Sequence, residues 1–176
     1  MRNMSSCQSC SYASVQGTIV DMVPARAGDG RSDSCILYFT VEDDNGNIVN
    51  FMVTPQTYVV DYKPLNVGMK CIFWYRTDVP TILIYPPQYT AVVAAPQRRD
   101  RMMNVSYYDA ALVNEERTLQ LHMDRSVALR TTNNQYFQGS PANHNLVVTY
   151  TNSTRSIPAQ TTPESIVVLC DEMYQE

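Results

Sequence analysis

Asn45-Gly46 stands between two runs of alternating apolar residues: Leu37, Phe39 and Val41 precede it, and Val49, Phe51 and Val53 follow. An Asn-Gly pair in that setting predicts a β-hairpin with a type I′ turn, because both central positions of that turn need positive φ. Side chains alternate across a strand, so one face of this hairpin must be buried and the other left to water. Ahead of it, "VQGTIVDMV" (residues 15–23) reads as a strand, set off by the Gly-, Asp- and Ser-rich "ARAGDGRSDS". After it, "PQTYVVDYKPLNVGM" is a connector with room for one short helical turn, and "KCIFWYR" and "TAVVAAP" read as two more strands. Five strands with a longer connector before the fourth is the order of an OB-like small β-barrel, whose closure removes exposed sheet edges.

The second half repeats this plan. "AALVNEERTLQLHMD" (residues 110–124) predicts another hairpin, with Leu119, Leu121 and Met123 alternating, and "SVALRTTNNQYFQGSPANHN" takes the connector's place. "LVVTYTNSTRSIPAQTTPESIVVL" then aligns with "CIFWYRTDVPTILIYPPQYTAVVA" without a gap, so that Tyr75 falls on Tyr150, Ile82 on Ile157, and Val92-Val93 on Val167-Val168. Each copy has a strand ending in Tyr, a Pro-rich excursion and a final Val-rich strand, which predicts a duplicated domain. The expected order is a Cys-bearing N-terminal arm (1–14), an OB-like domain (15–97), a linker (98–104), a second OB-like domain (105–170) and an acidic tail (171–176). The three Arg of "PQRRDR" at the junction read as a solvated linker in an acidic chain. For "GTIVDMV" the second copy offers only "MMNVSYYD" (102–109). With that strand supplied by the linker the copy is complete, since short connections pair neighbours; without it, an open edge asks for a strand from elsewhere.

Composition narrows the function. Of 176 residues 44% are apolar, enough to bury real cores, and the net charge of −4 supplies no positive field for nucleic acid or an anionic membrane. No apolar run approaches the roughly 18 residues of a membrane span. After Arg2 come serines and cysteines, where an export signal would place an apolar core.

"VNFMVTPQTYVVD…LNVGMKCIFWY…ILIYPPQYTAVV" and "NSTRSIPAQTTPESIVV" resemble an uncharacterised family of small OB-like β-domains from clostridia and other Firmicutes, in which a PPQY or TRSIPxQ segment precedes the last strand. The residues that carry the resemblance are Tyr75, Pro86, Pro87, Gln88 and Tyr89, and in the second copy Tyr150, Thr154, Arg155, Ser156, Pro158 and Gln160. It covers about half the chain and implies a fold and a bacterial origin, with no catalytic residues. Many members of that family look exported or wall-associated, whereas the expected signal is missing here. Physically, Pro86, Pro87 and Gln88, with Arg155, Pro158 and Gln160, read as a structural clasp. Proline holds an extended path, and a guanidinium fork can bond several carbonyls. A ligand-contacting loop is the other reading.

Neither histidine, His122 or His144, belongs to a catalytic motif, and no phosphate-cradling glycine loop occurs. "EDDNGN" has Val41 where a calcium loop ending its turn at Gly46 would need its first Asp, so it reads as an acidic turn. Alternation places Trp74 opposite Phe73 and Tyr75, which makes Trp74 the candidate ligand-contacting residue of a barrel face. No basic groove accompanies it, so sugars or proteins suit it better than single-stranded nucleic acid. Cys7 and Cys10 lack a second Cys-x-x-Cys for zinc and the βαβ context of a redox pair. Cys35 and Cys71 begin strands and read as core residues. Cys7 and Cys10 on the arm and Cys170 after the last strand suit crosslinks between subunits; reduced thiols in a tail are the plain alternative.

The sequence thus predicts an all-β chain of two tandem OB-like barrels, non-enzymatic, without cofactor, metal, nucleic acid or membrane span. Its partner is itself: a structural subunit that self-assembles into a filament or a spore or cell-surface layer. Synthesis in the bacterial cytoplasm without a signal peptide, then release by mother-cell lysis, would reconcile the missing leader with a surface role. The alternative function is an OB-type binding module for sugar, peptide or single-stranded nucleic acid.

Overall fold

The computed structural model describes residues 9–170, and it is all-β, with strands in several sheets. No helix among the described residues is long and apolar enough to cross a membrane. The chain forms two compact units, one of Tyr12–Gln97 and one that joins residues 9–11 to the chain from Arg98 onward.

The unit of Tyr12–Gln97 holds β1 (Tyr12–Arg26), β2 (Ser32–Asp43), β3 (Ile48–Val53), β4 (Tyr58–Val59), β5 (Lys70–Arg76), β6 (Gln88–Thr90) and β7 (Val93–Pro96). Tyr12–Ser14, expected in the arm, are the start of β1. Their sheet runs β4-β7-β5-β1-β2-β3-β6. β1 is long because it serves two partners, pairing with β5 from Tyr12 to Thr18 and with β2 from Gly17 onward. The predicted hairpin is β2–β3, with Phe39 opposite Phe51 and Val41 opposite Val49, all four buried. β6 lies parallel to β3, and β7 lies antiparallel to β5, so the last strands link the hairpin's outer edge to β5. Between them sits an aromatic core in which Phe51 stacks on Phe73 at 4.8 Å and Tyr75 on Tyr89 at 3.9 Å.

The hairpin turn differs from expectation. Only Gly46 has positive φ, at 83°; Asn45 does not. Gly46 N–H donates to Asp43 O and Asp43 N–H to Asn47 O, which describes a three-residue loop closed by a glycine bulge, not a two-residue type I′ turn. The reason is Asp43, whose carboxylate accepts the N–H groups of Asn45 and Asn47 at 2.9 Å each.

The second unit holds β8 (Met102–Tyr108), β9 (Leu119–Leu121), β10 (Ala128–Thr131), β11 (His144–Tyr150), β12 (Ala159–Thr161) and β13 (Ser165–Leu169). Four strands run β10-β13-β11-β8, and β12 pairs with β9. Single bridges from Tyr108 to Asn114 and from Val113 to Gln120 join the two groups. With residues 113–114 standing where β2 stands, the pairing order matches that of the first unit strand for strand. β8 takes the place of β1, pairing with β11 from Met102 to Tyr108, so the linker does supply the first strand and that edge is not open.

The second copy departs from expectation in two places. Of the predicted alternation, Leu119 and Leu121 are buried but Met123 is exposed, because the strand ends at Leu121. The gap-free alignment holds for β5 and β11, where Cys71, Phe73 and Tyr75 face one core and Leu146, Val148 and Tyr150 the other. It fails beyond them. Phe73 pairs with Ala94 while Val148 pairs with Ile166, so the second excursion is three residues shorter and Val92-Val93 do not correspond to Val167-Val168.

Candidate assembly surface

The excursion after β5 is anchored at both feet. At its start Arg76 Nε and a terminal nitrogen hold both carboxylate oxygens of Asp78, at 3.0 and 2.7 Å. At its end Asn50 N–H of β3 donates to Pro87 O at 2.8 Å. Between the feet, four consecutive apolar residues face water: Ile82 is 72% exposed, Leu83 98%, Ile84 47% and Tyr85 89%. Prolines 80 and 86 bracket the run and keep it from pairing as a strand.

The shorter excursion of the second unit makes the same gesture with one residue. Tyr85-Pro86 and Ile157-Pro158 are both cis peptides, and Ile157 is 94% exposed. Thr154 N–H donates to Gln160 O, Gln160 N–H to Thr154 Oγ1, and Ser156 Oγ to Pro158 O, at 2.8–2.9 Å. This ring of short bonds pins the loop and turns Ile157 outward. Each unit therefore presents an apolar side chain immediately before a cis proline that leads into a short parallel strand, β6 or β12.

Of the residues expected to form a clasp, Pro86, Pro87 and Gln88 lead into β6 and Pro158 and Gln160 into β12, where Gln160 Oε1 lies 2.9 Å from His122 Nε2. Arg155 differs. It is exposed and bonds no carbonyl among the described residues, where the hydroxyls of Thr154 and Ser156 hold the loop instead. Trp74, expected on an open face, is 5% exposed; Phe73 is fully buried, so both faces of β5 are covered here.

The cysteines separate by environment. Cys7 lies outside the described residues. Cys10 is 3% exposed, its N–H donating to Asn145 Oδ1 at 3.1 Å. Cys170 is exposed past the end of β13. Cys71 is buried, which pushes its thiol up to about 11, far from thiolate chemistry at neutral pH. Cys35 was expected in the core and is exposed. The register with β1 jumps from Leu37 to Asp33, so residues 34–36 bulge out of the ladder. No disulfide joins described residues.

The sequence missed the run 82–85 as a surface, although four apolar residues between two prolines, without helical or strand period, were a usable sign. Searches against family models, curated proteins and solved structures return no match for the chain.

Proposed function

We propose that the chain is a non-enzymatic structural subunit that self-assembles into a filament or surface layer, built from two OB-like barrels. The OB-like reading is supported by a long first strand shared between two partners and by residues 88–96, which run parallel to β3 and then antiparallel to β5. A ring of that kind is how a five-stranded barrel closes.

The observation that carries self-assembly is the apolar run 82–85, with its counterpart Ile157. Exposed apolar side chains are ordinary singly, but a contiguous exposed run of four marks a surface that is covered in use. The resemblance to clostridial β-domains favours a spore or cell-surface setting, and the exposure of Cys170 at the end of the last strand supports a role in crosslinks between subunits under oxidising conditions. Cys10, being buried, contributes none while residues 9–11 stay seated. A sugar- or nucleic-acid-binding barrel finds less support, because the buried Trp74 offers no ring for stacking.

Negative-stain electron microscopy of the purified protein, with and without dithiothreitol, tests this. Ordered filaments or sheets are expected in both conditions, with shorter ones in reductant if disulfides lock them. Dispersed single particles in both conditions would sink the reading.

A further inference from the structure

Residues 9–11 belong to a different unit from the residue that follows them. Ser11 Oγ donates to Glu115 Oε1 at 2.9 Å, and Cys10, almost wholly buried, donates its N–H to the side chain of Asn145, itself 4% exposed on β11. Tyr12, the next residue, already pairs with Arg76 in the other unit. The seat on the second unit is built for a peptide. A buried amide costs free energy unless it is bonded, and a buried Asn carbonyl is placed to receive this one. The seat is not part of the sheet's own completion, since β8 fills the position of the first strand with residues 102–108.

We propose that this seat is an exchangeable receptor: it takes residues 9–11 of a second copy of the chain in place of its own. The contacts made in cis and in trans are the same, and the hinge is the short step from Ser11 to Tyr12. Exchange of this kind is heterologous, head to tail, and each added copy leaves one arm and one seat unfilled, which yields an open chain or a closed ring. A tethered segment meets its own seat at an effective concentration in the millimolar range, so exchange needs further contact to outcompete closure in cis. The exposed runs supply it, and to that extent the inference rests on the assembly reading.

Two full-length variants test it by complementation. Cys10→Pro removes the N–H that Asn145 receives and leaves the seat intact; Asn145→Leu spoils the seat and leaves the arm intact. Glu115→Arg, at an exposed position, is the substitute seat variant if Asn145→Leu lowers the melting temperature. Each variant alone should assemble only at concentrations about tenfold or more above wild type. An equimolar mixture should form a 1:1 dimer by light scattering and stop there, because the dimer's remaining arm and seat are both defective. Wild type that assembles while either variant alone assembles equally well, or while the mixture stays monomeric, overturns the exchange and leaves the assembly reading standing. Wild type that never assembles, with a mixture that stays monomeric, overturns both.

Discussion

Gly17 occupies the point where β1 passes from one partner to the other, paired with Asp43 on one side and Cys71 on the other. A Cβ there would collide with the carbonyl of Glu42 and come within 2.8 Å of a Val41 methyl. Gly17→Ala should therefore cost about 1–3 kcal/mol through backbone displacement. That corresponds to roughly 4–8 °C of melting temperature per kcal/mol for a unit of this size. Gly28→Ala, which meets nothing within 4 Å, is the matched control and should change little. Asp43 acts through charge. Its bonds to the side chain and backbone of Asn47, then to Asn45 and Gly46, hold its carboxyl below the ordinary 3.8. The unfolded chain thus binds that proton more readily than the folded one. The stabilisation is full above the ordinary value and is lost as pH falls through the lowered one. In an NMR titration the Asn45 and Asn47 amides should report a midpoint below 3.8, and Asp43→Asn should abolish the transition; a midpoint at or above 3.8 would refute this.

At the scale of elements, the hairpin was legible because alternation and Asn-Gly coincide, while the turn type was not, because one carboxylate decided it. The duplication was legible in the order of features and nearly invisible in identities. The cores explain why: Phe73 faces Ala94 in one copy, and Val148 faces Ile166 in the other, a large–small pair exchanged for two of middle size. Conserved volume across a pair leaves no conserved letter at either position. Cys35 was misplaced because a register jump in an otherwise regular strand has no signature in the residues themselves. The exposed run 82–85 was hidden differently, since apolar residues read as core until a structure shows them outside. The two excursions also give a direct test. The second unit spans from its strand to its cis proline with three fewer residues, so deleting residues 82–84 should leave the unit folded, with melting temperature changed by no more than a few degrees. Circular dichroism checks this, and loss of the cooperative transition would show that the run is structural.

For the whole molecule, the two units share a strand order but not an excursion length, so the proposed assembly would draw on two unequal apolar contacts. Burying a side chain such as Leu or Ile contributes about 1.5–3 kcal/mol. At 1.4 kcal/mol per factor of ten, losing one contact should raise the concentration needed for assembly by roughly 10- to 100-fold. Leu83→Asp and Ile157→Asp each replace a side chain exposed above 90% in the separate chain, so neither should alter folding. Their effects on assembly should be at least those of lost burial, because an Asp would also have to be desolvated. The two substitutions lie in different units and should combine additively in free energy, so that the double variant's threshold rises by the product of the two factors. A sedimentation assay over a concentration series measures all three. A shift for Leu83→Asp alone would confine the contact to the longer excursion, and no shift for either would remove the apolar runs from the assembly altogether.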